Sequence, residues 1–394
     1  MSPRILFLAT RAPWPPIGGD RLRTYQLCRA LAGRGHLTIV CLGDPAEQSS
    51  LERGLPFASS IRVVPLRRPA AAWRVGRALL SDAPMQQALY ASPAARAAVA
   101  EECARTDVVV AHLLRTLPWL PALHPPLVLC LQDALAAQAK EASRAPGLSG
   151  GWRRAALTVE RPRLAQAEIA GAAQAQRVTA ITERDRDELI AGGVPAHKLV
   201  VVHARVERVA DTPSTPEPGR IVFFGNLRTA SNRDMARWLA QRVIPMVRTQ
   251  ERDAALHIYG VDAPPEVRRL DALAGVHVHG EVDDMSVEVA RAWVTACPLR
   301  FGSGVQNKVL ESLAVGTPVV ATPRVLQTLH PDAAAAMDTG THERSLAVAL
   351  VELLRDRARR DSLGAAGIAF VRRHHGEEVF SPLLDAVSQL APRR

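Results

Sequence analysis

Residues 301–322 read FGSGVQNKVLESLAVGTPVVAT: a glycine loop, a short amphipathic segment, a turn and an apolar run in immediate succession. Gly302 and Gly304 flank Ser303 and lack side chains, so the backbone there can approach a ligand closely. Val309, Leu310, Leu313 and Ala314 recur at helical spacing and predict a helix over 307–315. Gly316 closes that helix, and the run 318–321 predicts a buried strand. A glycine loop opening onto a helix N-terminus is an anion site. The first backbone N–H groups have no partner inside the helix, and the helix dipole favours negative charge there.

Lys308 falls in the first turn of this helix, where the dipole disfavours a cation by roughly 0.3–1 kcal/mol. The chain holds only three lysines, Lys140, Lys198 and Lys308, against a background of arginine. A lysine kept in an unfavourable place implies a bound anion that compensates it. Glu311 lies three residues on, along the same helix face, and a carboxylate accepts hydrogen bonds from sugar hydroxyls. The pair reads as a nucleoside diphosphate site, with Lys308 and backbone N–H groups for the phosphates and Glu311 for the ribose. The same spacing also suits an i, i+3 salt bridge capping a core helix.

Outward from this stretch, strands and helices alternate along the chain. Runs rich in Val, Ile and Leu at 5–9, 37–42, 61–66, 108–111, 127–131, 178–181 and 199–202 predict strands, with helices such as 21–32 and 184–191 between them. Residues 209–219, VADTPSTPEPG, carry three prolines and no apolar period, and predict a linker. The pattern then restarts, with strands at 221–224, 256–259, 276–278, 293–298 and 318–321 and helices at 231–248 and 265–273. Beyond 341 the chain reads as helical. Continuous apolar strands alternating with helices indicate parallel sheets covered on both faces. The expected fold is α/β, with two doubly wound, Rossmann-like parallel-sheet domains at 1–208 and 220–375. The linker 209–219 joins them, and a C-terminal helix, 376–394, returns to the first. Such domains bind ligands at the C-terminal ends of their strands, here expected to face one another across a cleft.

At 394 residues the chain accommodates two ordinary domains. A hydrophobic content of 47% with 22% charged residues excludes a disordered chain. No apolar run approaches the roughly eighteen residues a bilayer span needs. The opening MSPRILFLATRAP is too short an apolar stretch for a signal peptide and is interrupted by Arg11, so a first strand and a cytoplasmic location are expected. Cys28, Cys41, Cys103, Cys130 and Cys297 are odd in number and scattered through apolar contexts, which points to buried thiols instead of disulfides or a zinc site. The net charge of +10 lies wholly in residues 1–205, with 26 Lys+Arg against 16 Asp+Glu; residues 206–394 hold 23 of each. Clusters that mix arginine with tryptophan, such as Arg67, Arg68, Trp73, Arg74 and Arg77, or Trp152, Arg153 and Arg154, suit peripheral contact with an anionic membrane. They also suit solvated helix faces. With aromatics at 4% and no recognition module, nucleic acid is not an expected partner.

Further polar positions lie at predicted strand ends. Gly18, Gly19 and Asp20 follow the first strand; the glycines allow a tight turn beside a ligand and Asp20 is placed to cap the next helix. The G-x-G-x-x-G spacing of dinucleotide sites is absent. Gly225, Asn226, Leu227 and Arg228 follow the first strand of the second domain. Gly225 opens that loop, Arg228 or Arg233 can pair with phosphate, and Asn226 can serve simply to make the turn. His112 and Asp133 end two strands of the first domain, where polar side chains face the expected cleft. No H-x-x-x-H, C-x-x-C or D-x-D pattern accompanies them, so neither a metal nor another cofactor is expected. No G-x-S-x-G elbow is present for a serine nucleophile.

Assembled, these residues resemble a glycosyltransferase of the GT-B fold, close to family 4. The match is longest over PLRFGSGVQNKVLESLAVGTPVVAT, residues 298–322, where glycine loop, basic residue, glutamate and Gly-x-Pro-Val-Val-Ala follow in the family's order. VFFGNLRTASNRDMARWL at 222–239, the HIYGVD and VHVHGEVDD stretches around His257 and His277, the Gly18–Gly19 loop and TDVVVAH ending in His112 resemble further family segments. Details of the first loop and of FGSGVQNKVLE resemble sugar transferases of bacterial exopolysaccharide systems. The resemblance implies a nucleotide-sugar donor in the second domain. Lys308 and Arg228 would neutralise the diphosphate, Gly225, Asn226, Ser303, Gly304 and Val305 would line it, and Glu311 would hold the ribose. It implies a glycan, lipid-linked or natural-product acceptor in the first domain, beside Gly18, Gly19 and Asp20. His112, Asp133 and Lys308 would carry catalysis, with retained configuration, no metal and a place at the inner face of the membrane. Two departures stand out. Ser303 occupies the position of the first glutamate in the family's Glu-x7-Glu motif, and residues 202–207 read VHARVE where an Asn-Gly-Val-Asp loop is usual. A pseudo-glycosyltransferase, a sugar-nucleotide epimerase on the same fold and a catalytically silent nucleotide-sugar-binding paralogue are the alternatives.

Overall fold

The computed structural model describes residues 2–16, 18–66, 73–76, 78, 81–144, 151–206, 215–302 and 304–392. The chain divides into two compact units, Met1–Ala204 with Glu378–Arg394, and Arg205–Glu377.

The first unit is built on a seven-stranded sheet. Its strands are β1 (Arg4–Ala9), β2 (His36–Gly43), β3 (Ser60–Pro65), β4 (Val108–His112), β5 (Leu127–Cys130), β6 (Arg177–Ala180) and β7 (Leu199–Val201). They lie in the order β3-β2-β1-β4-β5-β6-β7, every pair parallel. The strand period of two sorts the apolar residues of β1 into two layers. Leu6 and Leu8 join one core with Val99, Trp119 and Leu129, whereas Ile5 and Phe7 join the other with Leu27, Leu31, Leu383 and Val387. Leu383 and Val387 belong to the C-terminal helix Ser381–Leu390, which thereby completes a core begun almost four hundred residues earlier. Arg23, buried on the helix Gly19–Ala32, donates to the carbonyls of Val202 and His203 and lies 5.1 Å from the Phe380 ring centroid.

The second unit carries β8 (Arg220–Phe224), β9 (Ala255–Tyr259), β10 (Val276–Val278), β11 (Val294–Cys297), β12 (Val319–Ala321) and β13 (Met337–Thr339) in the parallel order β10-β9-β8-β11-β12-β13. β13 is absent from the sequence expectation because MDT offers one apolar residue and no pattern. The helix expected over 231–248 is Ala230–Trp238 and Ile244–Arg248, joined by a π-helical turn, Leu239–Val243. Pro245 explains the widened turn: it has no N–H to donate, and its ring displaces the carbonyl one turn back. The border between units falls at Ala204 and Arg205 instead of after residue 208. Val206 N–H bonds to the His375 carbonyl at 3.0 Å and Arg205 pairs with Glu377 at 2.8 Å, drawing these residues into the second unit. Of the expected linker, residues 209–214 lie outside the described residues. So do Arg67, Arg68 and Arg77 of the basic clusters. No helix among the described residues is long and apolar enough to cross a membrane.

Candidate functional site

The helix Asn307–Ala314 begins without a side-chain cap. Gln306, its N-cap residue, folds back instead: its Nε2 donates to the Gly304 carbonyl at 2.8 Å, and its Oε1 accepts from Lys308 Nζ at 2.9 Å. Lys308 is 7% exposed, with Nζ 5.8 Å from the centre of the Phe223 ring of β8. Among the described residues no carboxylate lies within ion-pair distance of it. The salt bridge to Glu311 that the spacing allows is therefore not formed, and a buried ammonium is held only by a neutral amide and a ring face. Glu311 makes no hydrogen bond among the described residues. Burial raises its carboxyl pKa, with Lys308 opposing the shift. The helix is pinned from behind by Ser312, whose Oγ donates to the Lys308 carbonyl at 2.7 Å and lies 2.8 Å from Thr295 Oγ1 on β11.

The loop leading into this helix departs from the C-terminal end of β11. Gly302 has φ of 105°, a left-handed value that a side chain would strain. A Cβ built on it would lie 4.0 Å from Ser231 Cβ, which sets this loop beside the start of the helix Ala230–Trp238. Ser303 lies outside the described residues; Gly304 and Val305 are half-buried. The loop after β8 closes the other side. Gly225 has φ of 152°, and a Cβ there would meet Asn232 Nδ2 at 2.8 Å. The Asn226 side chain accepts from Arg228 N–H at 2.9 Å, so its carbonyl oxygen makes the turn. Arg228 is exposed and ion-paired with Asp262. Arg233 donates to the Arg228 carbonyl at 2.7 Å and lies 3.6 Å from Glu266. Both arginines already have partners, which leaves Lys308 as the cation in greatest want of an anion.

In the first unit, Gly18 (φ 85°) is the N-cap and the helix begins at Gly19. Asp20 therefore sits inside the first turn and does not cap it, a correction to the expectation. One turn on, Thr24 Oγ1 donates to the Asp20 carbonyl at 2.8 Å and lies 3.3 Å from His112 Nδ1. Because that hydroxyl proton is committed, Nδ1–H of His112 is the donor, and Nε2 accepts from Gln132 Nε2 at 3.2 Å. His112 is 1% exposed and stacks on Phe7 with ring centroids 5.7 Å apart. Burial, reinforced by Arg23 and Arg115, lowers its pKa to about 3, so it works as a neutral imidazole. Asp133 is pushed up to about 6, by burial first and then by Asp185. Asp185 accepts from Ala134 N–H at 3.2 Å, and Glu168, raised to about 7 by burial, accepts from Ala136 N–H at 3.2 Å. Three carboxylates thus gather at the N-terminus of the helix Leu135–Arg144, where its dipole favours negative charge.

The structure brings Gly18, Gly19, Asp20, His112 and Asp133 together in one unit, and Gly225, Asn226, Arg228, Gly304, Val305, Lys308 and Glu311 together in the other. Sequence reading missed Thr24, Gln132 and Gln306, the residues that orient His112 and Lys308. Gln132 adjoins Asp133 and Gln306 precedes a helix start, but a neutral polar residue at such a place carries no chemical signature of its own.

The family described as "Glycosyl transferases group 1" matches residues 218–356, and the "Glycosyl transferase 4-like domain" matches residues 18–205. No curated protein matches the chain. Among solved structures, HepE of Anabaena in complex with UDP and glucose is 14% identical, with a TM-score of 0.63 over 98% of this chain and 99% of that one. TarM of S. aureus has a TM-score of 0.70 at 8% identity, covering 98% of each chain. Sucrose-phosphate synthase of Thermosynechococcus elongatus has a TM-score of 0.69 at 16% identity, again over 98% of each. At these identities the likeness is one of fold.

Proposed function

We propose, because the chain belongs to the group 1 glycosyl transferases with a 4-like first domain and has the GT-B fold, that it transfers a sugar from a nucleoside diphosphate donor held by the second unit. The acceptor, a glycan, a lipid-linked sugar or a natural product, belongs to the first unit. The observation that carries this reading is Lys308: a buried, uncompensated ammonium in the first turn of an uncapped helix behind a glycine loop. A diphosphate completes that arrangement. It takes the ammonium and the free N–H groups together, and Glu311 is left to accept from ribose hydroxyls. As the glycosidic bond to the donor breaks, charge develops on the departing diphosphate, and this fixed positive field stabilises it. The leaving group is thereby served without a metal. Neutral His112, with both ring nitrogens bonded to Thr24 and Gln132, must exchange one of those bonds to meet a sugar hydroxyl and cannot take a proton as a strong base. Retention of configuration follows the family habit. Structures of HepE with UDP-glucose and of TarM with UDP show relatives that bind uridine nucleotides, and UDP-sugars are the donors to try first.

The test is a titration of the protein with UDP, GDP and ADP, and with their sugars, read by heat or thermal stabilisation. Lys308→Ala should weaken binding of the preferred diphosphate about 10–150-fold, the worth of roughly 1.5–3 kcal/mol for a charged hydrogen bond. Unchanged affinity would remove Lys308 from the phosphates. Ser303 at the first-glutamate position favours a second reading, a protein that binds donor without consuming it; donor binding with no sugar release across an acceptor panel would select it. The basic first half is proposed to hold the protein on anionic membranes. Vesicle binding should then fall with added salt, and no binding to phosphatidylserine vesicles at low salt would dismiss it.

A further inference from the structure

We propose that His330, Asp332 and His374 form a binding site for a divalent cation of the zinc class, separate from the Lys308 group. One ligand atom of each lies within 4.8 Å of the other two. His374 Nε2 is 2.8 Å and His330 Nδ1 3.6 Å from the same oxygen, Oδ2 of Asp332. Zinc bonds of about 2.0–2.2 Å to nitrogen and oxygen place neighbouring ligand atoms of a tetrahedral site roughly 3.3 Å apart. The two observed distances bracket that value. The imidazole rings stack with centroids 3.9 Å apart and planes 20° from parallel, and one nitrogen of each lies near the same carboxylate oxygen. Because an ion lies in the plane of each imidazole that binds it, His330, which is partly exposed, has to turn out of this stack for the set to close on one ion. Two imidazoles and a carboxylate are a donor set that zinc favours, and water can supply the remaining position because Asp332 is exposed.

The surroundings support a cation at this place. His374 is the last residue of the helix Arg357–His374, where the dipole is negative. His330 Nδ1 accepts from Asp332 N–H at 3.3 Å and caps the turn, a bond that a metal on Nδ1 would replace. Arg373 stands 3.7 Å from Asp332 Oδ2 as a competing cation, but its exposed side chain is free to leave. The site ties the turn Pro331–Ala335 to the end of a long helix, three residues before the second unit ends at Glu377. Adjacent His375 already bonds Val206, so an ion here would stiffen the segment that carries the chain in and out of the unit. In the sequence, 42 residues separate Asp332 from His374, which hides the set from any motif search.

The full chain is titrated with Zn²⁺ and with Co²⁺, following thermal stabilisation and the visible spectrum of bound cobalt. One equivalent should bind saturably. His374→Ala and Asp332→Asn should each weaken binding about tenfold or more, and Arg373→Gln should tighten it. His330→Ala serves the same purpose should His374→Ala fail to fold. A second histidine group, His257, His277 and His279, is the internal control: its rings lie close, but burial lowers the His257 pKa to about 4 and His257 is bonded to His279 at 3.0 Å. His277→Ala should leave the equivalent unchanged. The proposal is overturned by non-saturable binding, by binding lost in His277→Ala, or by binding that survives both His374→Ala and His330→Ala.

Discussion

At the scale of single residues, Lys308 makes the apo protein and the nucleotide complex pull in opposite directions. A buried ammonium that among the described residues meets Gln306 and the Phe223 ring but no carboxylate costs folding free energy, whereas a bound diphosphate recovers it. Lys308→Met keeps the hydrocarbon volume and removes the charge. It should leave the apo melting temperature equal or higher while abolishing nucleotide-dependent stabilisation. A lower apo melting temperature in thermal unfolding would mean that the ammonium is already satisfied. Glu168 gives a second prediction, in pH. Its folded pKa of about 7 lies above the ordinary 4.5, so the folded state holds the proton more tightly. The associated stability is complete below pH 4.5 and is lost as pH rises through 7, a difference of roughly 3 kcal/mol. Glu168→Gln keeps an oxygen for Ala136 N–H and removes that loss. Denaturant unfolding at pH 5 and pH 8 should show the wild type weakened at the higher pH relative to the variant, and parallel profiles would refute it. His112 acts in the other sense: its lowered pKa supplies stability above 6.5 that is lost as pH falls toward 3.

At the scale of elements, the helix that carries Lys308 is placed by the helix Arg357–His374 behind it. A Cβ on Gly364 would sit 2.4 Å from the Gly316 carbonyl oxygen, and one on Gly367 would sit 2.9 Å from Leu313 Cδ2. Backbone cannot yield as a side-chain tip does, so Gly364→Ala must push the two helices apart. Overpacking of this kind costs about 1–3 kcal/mol. The variant should lose thermal stability and donor affinity together, because the Asn307–Ala314 helix moves with its cradle. A loss of stability with unchanged nucleotide affinity would show that the shift is absorbed elsewhere. The same elements show what patterns convey. Among the described residues, twelve of the thirteen strands follow from apolar runs, whereas β13 carries its pairing through backbone bonds to β12 and no pattern. The π-helical turn before Pro245 could be read only as a helix, since a period of 3.6 does not reveal one widened turn.

At the scale of the whole molecule, the first unit depends on both ends of the chain. Phe380, Leu383 and Val387 fill the layer under Ile5, Phe7 and Ile39, and Arg23 rests on the Phe380 ring. Phe380→Ala should destabilise the first unit by roughly 3–5 kcal/mol through the cavity it leaves. Denaturant unfolding monitored in that unit should register it, and a change below about 1 kcal/mol would show the C-terminal helix to be dispensable. Nucleotide binding in the second unit should persist, because its core shares none of these residues.

By itself, the sequence determined the α/β class, the repeated doubly wound pattern, the family, and the glycine loop with Lys308 and Glu311. All of these are written in neighbouring residues, where apolar period, loop chemistry and helix-end electrostatics act locally. Only tertiary structure decided that Lys308 finds no carboxylate among the described residues, that Arg228 is spent on Asp262, that Asp20 sits inside its helix, and that Thr24 and Gln132 orient His112. Partnership, burial and hence protonation depend on which distant segments the folded chain sets side by side, and no local pattern records that.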